Sequence, residues 1–354
     1  MKLKQILFIL LIVLLVIATG ATLMGEFSSM ISFAPKENVS MAVVGDVMFA
    51  RNMEGVLSMD SSPFEGVSDV TSNVDLLLLN FENAATTSED VMKGDIPFKC
   101  NPSYVPLAKA NNNTIAALAN NHIFDYGIGG MEDTVRYMNE SGITTMGVGK
   151  NASEAHQAVT QEINGRKITI LNYMDSNSFT EYDYDVMPYA KESSPGYSAY
   201  DSEDAKKQIS EHNDSDLVVV YLHYGHEYNH SPDEVQEKIA HELIDYGADV
   251  VIGNHPHVPQ GIEMYNGKPI FYSVGDFIFD LEIEETLSDY FVKIELVNDT
   301  GICTVYPVRL VNFLPQHMDY ESGNEMLRDL SPLTNELEIY NGVGKLTFNL
   351  TEDK

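Results

Sequence analysis

Six short apolar runs, each followed at once by polar residues, constrain the fold of this chain more than any other feature of its sequence. The apolar residues are continuous rather than alternating, and each run is too short for a helix, which is typical of strands in a sheet covered on both faces. In open α/β sheets, ligands bind beyond the carboxyl ends of such strands. We therefore predict an α/β fold with a site at one sheet edge. The polar residues that follow the runs are, in order, Asp46, Glu82, Asn121 with His122, His223, His255 and Asp276.

A helical pattern covers residues 231–246, between two of the apolar runs. Ser231 and Glu234 form a capping-box signature at its start, and Gly247 follows its last turn. A helix between two buried strands is typical of a βαβ unit. The face that we predict to point inward consists of Val235, Ile239 and Leu243.

Three further segments have patterns of their own. Residues 130–141 predict a second helix, and residues 183–200, rich in Tyr, Asp, Ser and Pro without periodicity, predict a long surface loop. Beyond Glu285 the runs YFVKIELV and ICTVYPVRLV alternate, which predicts hairpin strands at the edge of the sheet or in a second sheet.

The amino terminus predicts a membrane segment. Lys2 and Lys4 precede an apolar run from Ile6 to Met24, which is long enough to cross a hydrocarbon core of about 30 Å. Because basic residues stay in the cytoplasm, the protein would be single-pass in the cell membrane with its carboxyl-terminal domain outside, or secreted if the leader is cleaved. The predicted divisions are an anchor or signal segment at 1–25, a tether at 26–39, one compact domain at 40–315 and a carboxyl-terminal extension at 316–354.

Charge and cysteine content restrict the partners. With 21 Lys and Arg against 53 Asp and Glu, the net charge of −32 repels polyanions, so we expect no nucleic-acid partner. An acidic surface that keeps the protein soluble in salt is the alternative explanation. Cys100 and Cys303 are the two cysteines, and a disulfide between them is possible in an exterior domain, although the sequence does not show that they meet.

Each strand-end residue has a structural explanation when it is taken alone. His255 and His257 form a His-x-His pair in a loop, Asn121 suits a turn, Glu82 is explained as a solvated strand end, and His223 as a hydrogen-bonded core histidine. Independent structural roles would rarely deliver a potential ligand from five strands at the same kind of position. Taken together, the residues therefore predict a metal site.

The ordered motifs GDVMFAR, NFEN, ANNHIFDYG, HYGHEY, GNHPHVPQGIE and FYSVGDFIFD resemble the CapA capsule-biosynthesis family. That family is associated with poly-γ-glutamate and is a branch of the calcineurin-like metallophosphoesterase superfamily. The resemblance covers about residues 40–280. It implies a metallophosphoesterase-like four-layer αββα sandwich of two mixed sheets, here preceded by the membrane helix, and a dinuclear metal site built from these motifs.

The resemblance also implies a role for individual residues. His122 would be the general acid, held in place by Asp125. The mixed nitrogen and oxygen ligands suit two divalent ions such as Mn, Fe or Zn, which would activate a shared water and neutralise charge on phosphoryl or carbonyl oxygens. The implied ligands are Asp46 and His257 for the first metal, Glu82 as the bridge, and Asn121, His223 and His255 for the second metal.

The chain departs from the wider superfamily at one position, as CapA-like sequences generally do, and from the CapA family pattern at another. The wider superfamily reads Asp-x-His in its first motif, whereas here Met48 occupies the place of the histidine, so the first metal loses a ligand. Where the family usually reads Gly-Asn-Phe, this chain has Asp276 between Gly275 and Phe277. Our hypothesis is that Asp276 is an extra ligand that partly compensates for Met48.

Four residues near the motifs are candidates for substrate binding. Arg51 could grip a phosphate or carboxylate bidentately, with a surface salt bridge as the alternative. Asn120, Tyr224 and Glu227 lie beside predicted ligands and are expected to line the pocket.

Two functions follow from these expectations. The first is a membrane-anchored, outward-facing metal-dependent hydrolase of phosphoester or amide bonds, acting in capsule or poly-γ-glutamate-type polymer synthesis. The alternative is a non-catalytic component that binds the anionic polymer or its precursor, with a membrane segment that contacts subunits of a synthesis complex. His122 with Asp125 favours the enzyme, whereas Met48 and the acidic surface favour the binding component.

Overall fold

The computed structural model describes residues 36–57, 59–92, 96–176 and 188–350. The predicted membrane segment lies outside these residues, as does most of the predicted tether. Within the described part of the chain, no helix has the length and apolar character needed to cross a membrane. The first strand begins at Val39, inside the segment that was expected to be a tether.

The secondary structure alternates between strands and helices along the first two thirds of the chain. The strands are β1 (Val39–Val47), β2 (Leu76–Phe81), β3 (Ala84–Ala85), β4 (Lys99–Cys100), β5 (Thr114–Ala117), β6 (Thr144–Met146), β7 (Val148–Gly149), β8 (Val159–Ile163), β9 (Arg166–Met174), β10 (Gly196–Tyr197), β11 (Leu217–His223), β12 (Val250–Asn254), β13 (Ile262–Tyr265), β14 (Lys268–Phe271), β15 (Asp276–Ile278), β16 (Ser288–Val297), β17 (Thr300–Val311), β18 (Leu314–His317), β19 (Glu338–Tyr340) and β20 (Val343–Asn349). The α-helices are α1 (Ser68–Thr71), α2 (Gly127–Glu140), α3 (Ala152–Ala155), α4 (Ser202–Glu211), α5 (Glu234–Asp245) and α6 (Tyr320–Leu330). Short 3₁₀ turns occupy Arg51–Gly55, Glu65–Val67, Pro102–Ala108 and Glu284–Thr286.

Among the described residues, ten strands form a larger sheet. Its order is β19-β20-β17-β16-β1-β2-β5-β6, with β15 beside β1 and β18 beside β17. Strands β1, β2, β5 and β6 are parallel, whereas β16 and β17 are antiparallel to their neighbours. The hairpin β16–β17 therefore lies inside this sheet, between β1 and β20, and the expectation of an edge or second-sheet position was wrong. The physical reason is that β1 pairs with β2 on one side only, and β16 forms the backbone hydrogen bonds on its other side.

The described residues also form a smaller sheet of six strands, in the order β13-β14-β12-β11-β9-β8. Its central strands β9, β11, β12 and β14 are parallel, and β8 and β13 close it on the two sides as antiparallel edges. Two-stranded ribbons, β3–β4 and β7–β10, lie beside the sheets. The prediction of an α/β fold built on mixed sheets is confirmed.

Alternate side chains of the central strands enter different hydrophobic cores, because successive residues of a strand point to opposite faces. An inter-sheet core joins one face of each sheet and includes Met41 and Val43 of β1 with Val219 of β11. On the other face of the larger sheet, Ala42 packs in a core with α2. On the other face of the smaller sheet, residues of β11 pack in a core with α4 and α5. The helices and sheets therefore form layers in the order helix, sheet, sheet, helix.

The start of α5 differs from the sequence prediction. The helix begins at Glu234 with Asp233 as its N-cap, and the capping box is formed by Asp233 and Gln236 rather than by Ser231 and Glu234. The Asp233 carboxylate accepts hydrogen bonds from the backbone N–H groups of Val235 and Gln236, both at 2.8 Å. The helix therefore begins three residues later than predicted. Val235, which was predicted to point inward, lies in its first turn and is 43% exposed.

Two smaller predictions are also corrected. Helix α2 begins at Gly127, three residues before its predicted start at 130. Residues 188–200 are only partly a surface loop, because they include β10 and the buried side chains of Ala190 and Tyr197. The part of the predicted loop from 183 to 187 lies outside the described residues.

The two cysteines do not form a disulfide. Both thiols are free and buried. Cys100 packs in the core between the larger sheet and α2, whereas Cys303 packs in the inter-sheet core. The possible exterior disulfide is therefore absent.

Candidate metal centre

The alternation of side chains along the strands brings polar residues from both sheets to one edge of the inter-sheet core. Leu76 and Leu78 of β2 face that core, so Asn80 and Glu82 follow on the same face. In β11, Leu217, Val219 and Tyr221 face the core, and His223 is the next residue on that face. The carboxyl ends of these strands thus place polar side chains from two sheets opposite one another.

Asp46 joins this face through an irregularity in β1. Val43 pairs with Leu78 and Asp46 pairs with Asn80, so three residues of β1 span two residues of β2. Such a bulge re-aims the side chains that follow it. Gly45 is needed beside it, because a Cβ atom there would lie 1.9 Å from the carbonyl oxygen of Gly275. This close approach leaves Asp46 paired with Asp276 at the start of β15.

Two groups of buried ligand-type side chains result. In each group, one potential ligand atom per residue lies within 4.8 Å of the others. We call the first the imidazole cluster and the second the carboxylate cluster. The imidazole cluster consists of Glu82, His223 and His255, and the carboxylate cluster of Asp46, His257 and Asp276.

Amide groups hold the histidine of the imidazole cluster. Nδ1 of His223 lies 2.6 Å from Oδ1 of Asn254, and because an amide oxygen only accepts, Nδ1 carries the proton. Nε2 of His223 then presents a lone pair, and it lies 3.0 Å from Oδ1 of Asn121. Two acceptor atoms at this distance repel unless a cation lies between them, so the geometry suits a metal ion bound by both.

Charged partners hold the carboxylate cluster. Nδ1 of His257 lies 2.8 Å from Oδ1 of Asp276 and 3.7 Å from Oδ2 of Asp46. The backbone N–H of His255 donates to Oδ2 of Asp46 at 3.3 Å. Asp276, which was proposed as an extra ligand, therefore lies within the group, directly beside His257.

Burial shifts the pKa values of the imidazole cluster in the direction that disfavours charge. The pKa of Glu82 is well above its ordinary value because of burial, with the nearby Asp46 and Asp276 carboxylates adding to the rise. Burial lowers the pKa of His223 well below its usual range, and the neighbouring His255 lowers it further. His223 is therefore neutral, which is the state in which imidazole binds a metal.

In the carboxylate cluster, burial and the ion pair act against each other. Burial would lower the pKa of His257, but the Asp276 and Asp46 carboxylates outweigh it and raise the pKa to about 9. Burial raises the pKa of Asp276 to about 7, although the His257 imidazolium partly opposes the rise. Burial likewise raises the pKa of Asp46, against the effects of His257 and Asn80.

The residues present fit divalent cations. Oε1 of Glu82 and Oδ2 of Asp276 are buried and make no hydrogen bond within the described part of the chain. Buried carboxylates need a compensating positive charge, and mixed imidazole and carboxylate donors suit Zn, Mn or Fe. Burial disfavours the ionised carboxylates of Asp46, Glu82 and Asp276. Cations bound at the two clusters would supply the positive charge that stabilises them.

The loop after β12 holds its histidines in an uncommon backbone conformation. His255 has φ of 97° and His257 has φ of 58°, both in the left-handed region. Such backbone is costly for residues other than glycine and is concentrated at functional sites. It allows both imidazoles to turn toward the strand ends from positions only two residues apart.

His122 follows Asn121 in the chain, its charge reaches His223, and its ring is held on two sides. Its Nδ1 lies 2.7 Å from Oδ2 of Asp125, and the same oxygen accepts the backbone N–H of Phe98 at 2.6 Å. The ring of Phe98 stacks on the imidazole at a centroid distance of 3.7 Å. The structure thus brings Asp125 to His122, as expected for a partner that orients it, and adds Phe98 as a second support.

Arg51 is engaged in an ion pair. Its guanidinium contacts the carboxylate of the buried Asp280 through Nε, at 2.9 Å from Oδ1, and through a second nitrogen. Its Cζ atom lies 4.6 Å from the centroid of the Phe98 ring. The salt-bridge alternative therefore describes Arg51 in this structure, and an anion would have to share the guanidinium with Asp280.

Three expected pocket residues have different surroundings. Asn120 is fully buried and donates to Oδ1 of Asn80 and to the carbonyl of Phe81, both at 2.9 Å, so it braces the strand that precedes Glu82. Tyr224 packs in the core between the smaller sheet and its helices, which corrects the expectation that it lines the pocket. Glu227 is exposed, and its charge reaches both Glu82 and His257.

Met48 packs in the core on the α2 side of the larger sheet, and its sulfur accepts the backbone N–H of Ala50 at 2.9 Å.

The sequence analysis did not identify Asn80, Asn254 and Phe98 as site residues. The period of two along the strands was a usable signal for the two asparagines, since each shares a face with inter-sheet core residues. Phe98 had no such signal, because β4, a 3₁₀ turn and β5 lie between it and His122 in the chain.

Comparison with known proteins agrees with the motifs. Residues 40–281 match the family model described as "Bacterial capsule synthesis protein PGA_cap". The chain is 33% identical over 323 residues to the "PGA biosynthesis protein CapA" of Bacillus subtilis, covering 88% of this chain and 82% of that protein. It is 31% identical to the "Capsule biosynthesis protein CapA" of Bacillus anthracis, covering 79% of this chain and 69% of that protein. A "Probable polyglutamine synthesis accessory protein" of Mycobacterium tuberculosis is 29% identical, covering 59% of this chain and 56% of that protein. The chain belongs to the bacterial capsule synthesis protein PGA_cap family.

Proposed function

We propose that this protein is a metal-dependent hydrolase that cleaves phosphoester or amide bonds in the synthesis of an anionic capsule polymer of the poly-γ-glutamate type. The observation that carries this proposal is the arrangement of two adjacent, buried ligand clusters beside the His122–Asp125 pair. Ligand clusters alone are compatible with a structural ion. A histidine oriented by a buried carboxylate next to them is the arrangement that acid–base catalysis requires.

Different residues have different roles in the proposed reaction. Asp125 engages Nδ1 of His122, so proton transfer falls to Nε2, which would protonate the leaving oxygen or nitrogen. Phe98 restricts the imidazole to one plane by stacking on it. When bound, divalent ions supply the positive charge that activates water and neutralises charge on a substrate oxygen. The imidazole cluster, with Asn121, would hold one ion and the carboxylate cluster the other, with Glu82 between them.

Asp276 is proposed as a ligand in place of the histidine that Met48 replaces. Its Oδ1 is directed to His257, but its Oδ2 is buried without a hydrogen bond and remains available to a cation. One carboxylate can serve both purposes, because its two oxygens are separate acceptors.

The relatives support the choice of polymer. Two of them are named for PGA or capsule biosynthesis, and we extend that substrate class to this chain by similarity. The apolar run at residues 6–24 supports a membrane anchor with the described domain outside the cell, where a capsule polymer accumulates. Membrane subunits of a polymer synthesis complex are the partners proposed on the same basis.

A second candidate is a non-catalytic component that binds the polymer. The observation that favours it is Met48, which stands where the first motif of the wider superfamily has a ligand histidine and packs in the core on the α2 side of the larger sheet. The word "accessory" in the name of one relative is compatible with such a role.

The test compares two His–Asp pairs of the same chain. His156 lies 2.6 Å from Asp204, far along the chain from the predicted motifs, and provides a matched control for His122. The full-length protein and the variants His122→Ala and His156→Ala would be loaded with Mn²⁺, analysed for bound metal, and assayed with phosphoesters and γ-glutamyl amides. We expect His122→Ala to retain metal and to lose about 10²- to 10⁴-fold in rate, while His156→Ala keeps the wild-type rate.

Other outcomes separate the candidates. Metal-loaded wild-type protein that cleaves neither class of substrate but binds poly-γ-glutamate would replace the hydrolase by the binding component. Wild-type protein that binds no divalent metal would contradict both the site and the hydrolase.

A further inference from the structure

Asn80 lies between the two ligand clusters and contacts a carboxylate from each. Its Nδ2 donates to Oδ1 of Asp46 at 2.8 Å and to Oε2 of Glu82 at 3.0 Å. Asp46 belongs to the carboxylate cluster and Glu82 to the imidazole cluster. The side-chain amide of Asn80 therefore contacts both clusters.

A hydrogen bond to the amide oxygen of Asn80 fixes the orientation of this amide. Nδ2 of Asn120 donates to Oδ1 of Asn80 at 2.9 Å, which requires the amide nitrogen of Asn80 to face the carboxylates. Asn120 is itself held, because it donates to the carbonyl of Phe81 and accepts the backbone N–H of His122 at 3.1 Å. The amide of Asn80 thus has a defined direction and both of its hydrogens have acceptors.

The two bonds leave one oxygen of each carboxylate for another partner. Oε1 of Glu82 makes no hydrogen bond in the described part of the chain, and Oδ2 of Asp46 accepts the backbone N–H of His255 at 3.3 Å and lies 3.7 Å from Nδ1 of His257. A side chain that occupies Oδ1 of Asp46 and Oε2 of Glu82 therefore selects which oxygens are presented to cations.

The neutral charge of the donor matters. A lysine or arginine in this place would also bond both carboxylates, but its positive charge would compete with a metal ion for them. An amide donates two hydrogen bonds without supplying charge. It can hold the carboxylates in position and still leave them in need of a cation.

We propose that Asn80 is a positioning residue for metal binding at both clusters, because its amide holds one oxygen of Asp46 and one oxygen of Glu82. This inference rests on the metal site of the proposed function, though not on its hydrolytic activity. Loss of the amide would free both carboxylates and weaken cation binding at both clusters together.

Asn83, in the same motif, provides a matched control. It is also fully buried, and its amide is used away from the clusters, accepting the backbone N–H of Phe49 at 2.7 Å and contacting Sγ of Cys100 at 3.2 Å. Replacement of either asparagine by leucine removes a buried amide of similar size from the same segment. A structural role for buried amides in general would make the two variants behave alike.

The experiment uses the full-length protein and the variants Asn80→Leu, Asn80→Ser and Asn83→Leu. Binding of Mn²⁺ would be measured by calorimetry, Co²⁺ coordination by visible absorption, and folding by circular dichroism and thermal unfolding in EDTA. We expect Asn80→Leu to lose about 10- to 100-fold in metal affinity at both positions, as is usual for partners that orient ligands, and to change the Co²⁺ spectrum. Asn83→Leu should bind both metals like wild type, even if its unfolding temperature falls.

Asn80→Ser keeps the inference testable if the leucine variant does not fold. Serine leaves room for water and retains one donor, so an affinity between those of the wild type and Asn80→Leu is expected. Asn80 variants whose metal affinity and Co²⁺ spectrum match those of Asn83→Leu would overturn the inference, while wild-type protein that binds no metal would instead overturn the proposed function.

Discussion

The imidazole cluster and the carboxylate cluster lie side by side at one sheet edge but are held in opposite ways. In the imidazole cluster, neutral amides support His223, with Asn254 on one ring nitrogen and Asn121 beside the other. In the carboxylate cluster, His257 is paired with Asp276 and lies close to Asp46, so the charges of the cluster partly neutralise one another.

Because of this difference, a cation must displace different groups at the two positions. At the imidazole cluster the ring nitrogen that faces Asn121 already presents a lone pair, so a cation displaces no proton from His223. At the carboxylate cluster the cation competes with the proton of His257, whose pKa is raised to about 9 by Asp276 and Asp46 against the effect of burial. We therefore expect the imidazole cluster to bind a cation more tightly than the carboxylate cluster.

Removal of one histidine from each cluster should have the largest and most unequal effects. Since loss of an orienting partner usually costs 10–100-fold in metal affinity, loss of the ligand in His223→Ala should cost more than about 100-fold at the tighter position. His257→Ala should leave one ion tightly bound. Elemental analysis and Mn²⁺ calorimetry would measure both. Equal loss of both ions in the two variants would contradict the ranking of the clusters.

Asp276→Asn should have a smaller effect that is confined to one position. The substitution removes a ligand oxygen and the ion-pair partner of His257, so bound metal should fall from two ions to about one per chain, with the tighter ion retained. Asp249→Asn is the control, because Asp249 is a buried acid paired with Lys268 at 3.0 Å. Unchanged stoichiometry and affinity in Asp276→Asn would show that this carboxylate is not a ligand.

Most of this comparison was accessible from the sequence, because ligand position follows from strand ends. Apolar runs locate the carboxyl edge of a sheet, and the alternation of strands determines which residue at that edge faces inward. This argument predicted that Glu82 and His223 lie together at a sheet edge, whereas the presence of two sheets was implied by the family resemblance alone. Asn80 and Asn254 obey the same alternation and could have been found by it.

Contacts between distant segments could not be predicted in this way. Asp280 binds Arg51 across 229 residues, and no local pattern distinguishes such a pair from an exposed arginine. The interior position of β16 and β17 was missed for the same reason. Their alternating apolar residues predict strands but do not indicate which strand lies beside them. The start of α5 was misplaced for a local reason, because Asp233 outcompetes Ser231 as a cap through two backbone hydrogen bonds.

The unfolding temperature of the metal-free protein should depend on pH through the carboxylate cluster, and we expect it to fall as pH rises from about 4 to about 9. Burial raises the pKa of Asp276 from 3.8 to about 7, and the pKa of His257 rises from 6.5 to about 9 because its carboxylate partners outweigh burial. In both cases the folded protein binds the proton more strongly than the unfolded chain does, so stability is present at low pH and is lost as pH rises through the folded values.

Two measurements sharpen this expectation. Mn²⁺ should raise the unfolding temperature more at pH 8 than at pH 6, because the ion competes with the proton on His257. Asp276→Asn should flatten the pH dependence of the metal-free protein. A wild-type unfolding temperature that rises over this interval without metal would contradict the raised pKa values of Asp276 and His257.

Glu227→Gln should have the smallest effect on Mn²⁺ affinity, and the effect should be equal at the two clusters. Glu227 is exposed, and its charge reaches Glu82 in one cluster and His257 in the other. Loss of an exposed charge should weaken Mn²⁺ binding at both positions by no more than about two- to fivefold at low salt, and the difference should disappear in 1 M salt because of screening. Calorimetry at two salt concentrations would measure this. If Glu227→Gln changed only one position, the surface field would be part of the difference between the clusters; an equal change would assign that difference to the buried amides and the buried ion pair.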